Sequence, residues 1–143
     1  MIHLSTEHMN QIRLHGEQDF PYECCGALLG EYKNEVRFVR EIRPMANVHS
    51  ESHDRRFLIS PDQMFALMKE ERQTGQVILG FYHSHPDHPA QPSATDLDWA
   101  SPFYIYIIVS VLSGVAARLT AWELREDRDG FMSVEIVVDD RLK

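Results

Sequence analysis

The sequence predicts an α/β (α+β) fold, a mixed, largely antiparallel sheet flanked by about three helices. Three observations carry this reading. Helix starts are marked by capping serines at Ser60-Pro61 and at Ser93. The nearly continuous apolar run Val77-Ile78-Leu79-Gly80-Phe81-Tyr82 reads as a strand buried on both faces. The last third alternates apolar segments with turn signals at Gly114 and Asp129-Gly130, as a meander does.

In chain order, residues 5–18 are expected to form the first helix, with Ser5 or Thr6 as cap and Met9, Ile12 and Gly16 on one face. Cys25 to Tyr32 and Val36 to Ile42 follow as strands joined by a turn at Lys33-Asn34, and read as a hairpin. Residues 43–56 are polar and irregular, leading into a short strand at Phe57-Leu58-Ile59. The second helix begins with Ser60 as cap, Pro61 at the first helical position and Gln63 closing a capping box. Phe65 with Met68 and Met64 with Leu67 supply its apolar face, and Gly75 ends it. The central strand runs to His85, where Pro86 stops it. A loop over 86–92 carries three prolines, and a short helix runs from Ser93 to about Ala100. Strands are expected at about 103–111, 115–124 and 131–138.

The chain has 143 residues, within the ~100–200 typical of one domain, so residues 1–143 are read as a single domain. With 14 Lys plus Arg against 22 Asp plus Glu, the net charge is −8, and nucleic acid is not an expected partner. The N-terminus has no basic segment followed by an apolar stretch, so a signal peptide is not expected. The apolar run Phe103 to Leu112 is about half the ~20 residues a spanning helix needs, so no membrane segment is expected either. Two adjacent cysteines, Cys24 and Cys25, do not make a secreted disulfide framework and fit reduced thiols in a cytoplasmic protein.

Histidine is the unusual component: eight residues, three of them within 83–88. Side chains alternate along a strand, so His83 and His85 point the same way and can grip one metal ion, while Ser84 points to the other face. Ser93 and Asp96 lie three apart at a helix start and can share a face. Two imidazoles and one carboxylate form a typical catalytic zinc set with a fourth position left for water. Each feature alone has a plainer explanation, as strand packing for the histidines and as an ordinary helix N-terminus for Ser93 and Asp96.

Together they resemble a known pattern. His83-x-His85, seven residues, Ser93, two residues and Asp96 resembles the complete JAMM (MPN+) metalloprotease motif. Pro21-Tyr22-Glu23-Cys24-Cys25-Gly26-Ala27-Leu28-Leu29-Gly30 is similar to the family's glutamate segment, and the match extends through Phe57 to Pro61 and Gly80 to Pro86. The resemblance implies a JAMM/MPN (cytidine-deaminase-like) core with one zinc ion per chain on His83, His85 and Asp96. It further implies Glu23 as general base and Ser93 as hydrogen-bond donor to the developing oxyanion. The implied reaction is hydrolysis of an amide or isopeptide bond after the Gly-Gly tail of a ubiquitin-like protein.

Between Ser60 and Ala100 there is no room for the long insertions of eukaryotic deubiquitinating relatives. The chain more closely resembles small stand-alone prokaryotic forms, which are associated with sulfur-carrier proteins of the ThiS/MoaD type, and this resemblance implies release of an amino acid, such as cysteine, or of a short extension from a carrier's C-terminus. Two rival readings are a desampylase-like isopeptidase acting on modified lysines and a non-catalytic scaffold with structural zinc. Glu23 discriminates against the scaffold, because a structural site needs no base and prefers four protein ligands. A homodimer is left open. His88 is expected to be a bystander, since Pro86 and Pro89 preclude a regular helix and the motif skips it. Cys24 and Cys25 are read as small buried residues. Arg55 and Arg56 suit either an acidic group of the substrate or a solvated strand edge.

Overall fold

The computed structural model describes residues 1–47 and 60–142. In chain order the elements are β1 (Ile2–Leu4), α1 (Thr6–Asp19), β2 (Cys25–Lys33), β3 (Val36–Met45), α2 (Pro61–Thr74), β4 (Val77–Pro86), α3 (Ala94–Trp99), β5 (Ile105–Leu112), β6 (Val115–Leu124), β7 (Phe131–Val134) and β8 (Ile136–Val138). The strands form one sheet in the order β7-β6-β5-β4-β2-β3-β1-β8. The pairs β4–β5, β1–β3 and β1–β8 are parallel and the others antiparallel. The mixed sheet with three helices is therefore as expected.

Strands β7 and β8 lie at opposite ends of that order, yet only Glu135 separates them in the chain. The sheet must therefore curl until its two edges approach each other at that residue. Helix α1 packs against β3, β4, β5 and β6 on one face. Its Ile12 is fully buried among Leu28, Leu79, Tyr82, Ile107 and Val109. Gly16 brings the helix close enough for an added Cβ to lie 3.4 Å from Ser84 and 3.0 Å from Val111. Ser5 caps α1 by accepting the His8 N–H at 3.0 Å, and the His8 ring accepts the Ser5 N–H in return. Helix α2 packs on the opposite face, where Leu67 meets Ala27, Leu29, Ile78 and Phe81.

Several elements depart from the sequence reading. The irregular stretch begins later than expected, because β3 continues through Arg43, Pro44 and Met45 opposite β2. The expected strand at 57–59 lies outside the described residues. Only one of the two apolar pairs on α2 meets the sheet: Leu67 is buried and Met64 packs beside it, whereas Phe65 and Met68 face solvent. Ser60 caps α2 as expected, but Gln63 spends its carboxamide on the N–H and C=O of Ala46, at 3.1 and 3.2 Å. The expected strand at 131–138 is two strands. The second leaves the meander to pair with β1, where Asp139 N–H donates to Leu4 C=O at 2.7 Å. No helix among the described residues is long and apolar enough to cross a membrane.

The β2–β4 register contains a bulge. Leu28 pairs with Gly80 but Leu29 pairs with Ile78, so Leu79 is an extra residue in β4. A one-residue insertion flips every later side chain to the other face. Beyond it Phe81 faces α2 and Tyr82 faces α1. The Tyr82 ring lies over Gly26 of β2, where a Cβ would fall within the ring itself. Gly26→Ala is expected to destabilise the protein by about 3 kcal/mol, the upper end for overpacking a filled core, as read by equilibrium denaturation.

Candidate functional site

The alternation set by the bulge sends His83 and His85 to the face opposite α1, and Ser84 toward α1 beside Gly16. Both imidazoles are buried. Asp96 comes to them from the first turn of α3. The Asp96 carboxylate stands 3.0 Å from His83 Nε2 through Oδ1 and 3.1 Å from His85 Nε2 through Oδ2, and the two Nε2 atoms are 3.1 Å apart. Among the described residues these three form a group able to hold a metal ion.

The start of α3 fixes the carboxylate. Ser93 Oγ accepts the Asp96 N–H at 3.0 Å, and Asp96 Oδ2 accepts the Ser93 N–H at 2.8 Å, a reciprocal capping box. The carboxylate that caps the helix is thus the one facing the histidines. Ser93 Oγ receives a bond from the Asp96 amide, so its own proton remains to be donated elsewhere.

His85 Nδ1 lies 2.9 Å from the Pro89 carbonyl, which can only accept. Nδ1 therefore carries a proton, which leaves Nε2 as the ring atom available to hold an ion. Burial holds His83 below the ordinary imidazole range despite the nearby Asp96 carboxylate, so it is neutral near pH 7. Burial alone pushes the Asp96 carboxyl up, but its interactions with His83, His85 and the Ser93 N–H outweigh this and hold it well below the usual carboxylate range. Two imidazoles and one carboxylate on a single point are a suitable donor set for a divalent cation. Tetrahedral ligands ~2.0–2.1 Å from zinc would stand ~3.3 Å apart, and the separations here are 3.0–3.1 Å.

The loop after β4 is fixed from two strands. Ser110 Oγ donates to His88 C=O at 2.7 Å, and Thr120 Oγ1 donates to Ala90 C=O at 2.6 Å. These bonds flank Pro89, whose carbonyl orients His85. Trp122 Nε1 donates to Thr120 Oγ1 at 2.8 Å and completes the chain. The sequence reading missed Ser110, Thr120 and Trp122, since a hydroxyl or indole in a strand gives no signal of the loop it reaches. His88 is exposed and lies outside the three-residue group.

Glu23 is buried just before β2. Cys25 pairs with His83, while Cys24 N–H donates to Ser84 Oγ at 2.8 Å and Ser84 N–H to Cys24 C=O at 3.2 Å. Continued by one residue, this register sets Glu23 opposite His85, on the face that carries the histidines. Arg55 and Arg56 lie outside the described residues.

The family of prokaryotic homologs of the JAB domain matches residues 5–125. The chain belongs to this family. It is 34% identical over 119 residues to a desampylase of Haloferax volcanii, covering 82% of this chain and 81% of that one. It is 31% identical over 101 residues to a probable TtuB-protein conjugate cleaving protease of Thermus thermophilus, covering 68% and 64%. The solution structure of a Desulfitobacterium hafniense protein superposes with a TM-score of 0.86 at 30% identity, over 100% of this chain and 96% of that one. The JAB domain is thus the fold that carries the His83, His85 and Asp96 group.

Cys24 and Cys25 are both free and buried beside this JAB site, and burial pushes each thiol up to about 12. Neither is poised as a nucleophile. Both thiols are expected to resist a disulfide reagent at pH 8 in the folded protein and to react once it is denatured. Rapid labelling of the native protein would contradict this burial.

Proposed function

We propose that this chain is a zinc-dependent isopeptidase that hydrolyses the amide bond after the C-terminal Gly-Gly tail of a ubiquitin-like or sulfur-carrier protein. Convergence of His83, His85 and Asp96 on one point is the observation that carries the reading. Among the described residues the group has three protein donors, the number a catalytic zinc site uses. The names of the curated relatives support a conjugated modifier as substrate; in this reading the released amine is a lysine side chain of the target protein. The eight strands among the described residues join one sheet, which supports treating residues 1–143 as one catalytic domain. A cytoplasmic setting belongs to the same proposal and is supported by the free thiols.

In this reading His83 and His85 hold the ion through Nε2 and Asp96 through its carboxylate. A zinc ion there supplies Lewis acidity, which makes hydroxide available near pH 7 and polarises a carbonyl. Glu23 takes the proton from the attacking water and returns it to the leaving amine as the C–N bond breaks. Ser93 donates its hydroxyl proton to the carbonyl oxygen as that atom gains charge. Its place at the head of α3 fits this role, because the Asp96 amide already directs the hydroxyl's lone pair. The Pro89 carbonyl keeps the proton of His85 on the nitrogen facing away from the ion.

Purified protein is expected to contain one zinc per chain by elemental analysis, and His85→Ala to lose it. Glu23→Gln is expected to keep the metal and to lower kcat on an isopeptide-linked conjugate by about 10²–10⁴. Hydrolysis by Glu23→Gln at the wild-type rate would remove Glu23 from the role of base. Ser93→Ala is expected to lower kcat by ~10²–10³. The same change removes a helix cap of ~1 kcal/mol, so thermal unfolding and zinc content are measured alongside.

A further inference from the structure

A second recess shares Ser93 with the site. It has a volume of about 390 Å³ and is bounded by Gln91, Pro92, Ser93, Leu97, Trp122 and Phe131. Its walls are mostly apolar, and Trp122 and Phe131 are only partly buried, so their rings form accessible surface. Both rings are held in place: Trp122 by its bond to Thr120 at 2.8 Å, and Phe131 by an edge contact with Tyr106 at 6.1 Å between centroids.

We infer that this recess is the leaving-group subsite and that it takes the aliphatic stem of the acceptor lysine. The inference rests on the isopeptidase reading and deepens it. On the acyl side of the scissile bond that reading has two glycines, which have no side chain to fill a pocket. A side-chain pocket that begins at Ser93 therefore serves the amine side. There an isopeptide presents a chain of four methylenes before anything polar. Among the described residues no charged side chain lines the recess, which suits methylenes and a neutral amide nitrogen. Trp122 and Phe131 are rigid apolar surfaces on which such a stem can lie at small entropic cost.

The test compares two substrates of one ubiquitin-like protein. In one, its terminal glycine is joined to the side-chain amine of a lysine within a peptide. In the other, it is joined to the α-amine of a glycine-led peptide. Wild type is expected to favour the lysine-linked substrate in kcat/KM. Trp122→Ala is expected to reduce that preference about 10-fold or more, since contact with even one methylene is worth ~10–200-fold in an apolar pocket. Phe131→Ala should do the same and serves if Trp122→Ala does not fold. Zinc content of each variant is measured to exclude loss of the metal group. An unchanged ratio in folded, zinc-loaded variants, or a wild-type preference for the glycine-led substrate, would overturn the subsite. Failure of zinc-loaded wild type to cleave either substrate would instead overturn the isopeptidase reading on which it stands.

Discussion

The polar end of the sheet depends on one hydrogen bond across it, from Cys24 N–H to the Ser84 hydroxyl at 2.8 Å. Regular pairing of β2 with β4 runs out at Cys25 and His83. One residue further, Ser84 supplies with its side chain the acceptor that a strand partner would otherwise provide. Both groups are buried, so breaking the bond would leave an unsatisfied amide in the core at ~1–3 kcal/mol. The tether fixes the backbone at Cys24, the residue after Glu23. Extended by one residue, this register directs Glu23, 61 positions from Ser84, to the face that carries the histidines.

Two further constraints give this tether its direction. The extra residue at Leu79 sets which face every following side chain of β4 takes. Without it, Ser84 would face α2, and the histidines would be pressed against α1. Gly16 then leaves room for Ser84 where helix and strand are closest. Packing on the α1 face and chemistry on the other are thus two results of one register.

This explains what was legible in the sequence. His83, His85, Ser93 and Asp96 lie within fourteen positions, and their geometry follows from local rules: strand alternation and a capping box. Glu23 is different, because its position depends on a pairing register between distant segments. Residues alone do not fix that register, and a resemblance to known proteins had to supply it. Strand β1, and the pairing of β8 with it, escaped for a related reason. Three residues cannot display a period, and these two pair in parallel across more than 130 positions of chain. Their stability comes from contacts the sequence does not announce, such as Asp139 N–H to Leu4 C=O and Thr6 N–H to the Asp140 carboxylate. On α2, periodicity identified the helix but not which of its two apolar pairs would be buried, since that depends on how the helix is turned against the sheet.

The loop over 86–92 illustrates how the site divides fixed parts from movable ones. Asp87 N–H donates to Val111 C=O, Ser113 N–H to the Asp87 carboxylate, Ser110 to His88 C=O, and Thr120 to Ala90 C=O. At ~0.5–1.5 kcal/mol for each bond, lifting the loop would cost several kcal/mol before any strain is counted. It would also remove the Pro89 carbonyl from His85 and free the ring to change tautomer. A segment that must stay in place to present a ligand lone pair cannot also serve as a lid. Substrate must reach this site past elements other than the 86–92 loop. A fixed loop has a second consequence, because the chain from Ala90 through Thr120 to Trp122 holds the wall of the neighbouring recess in the same rigid frame as His85. Ligand geometry and the shape offered to the leaving group are therefore mechanically coupled.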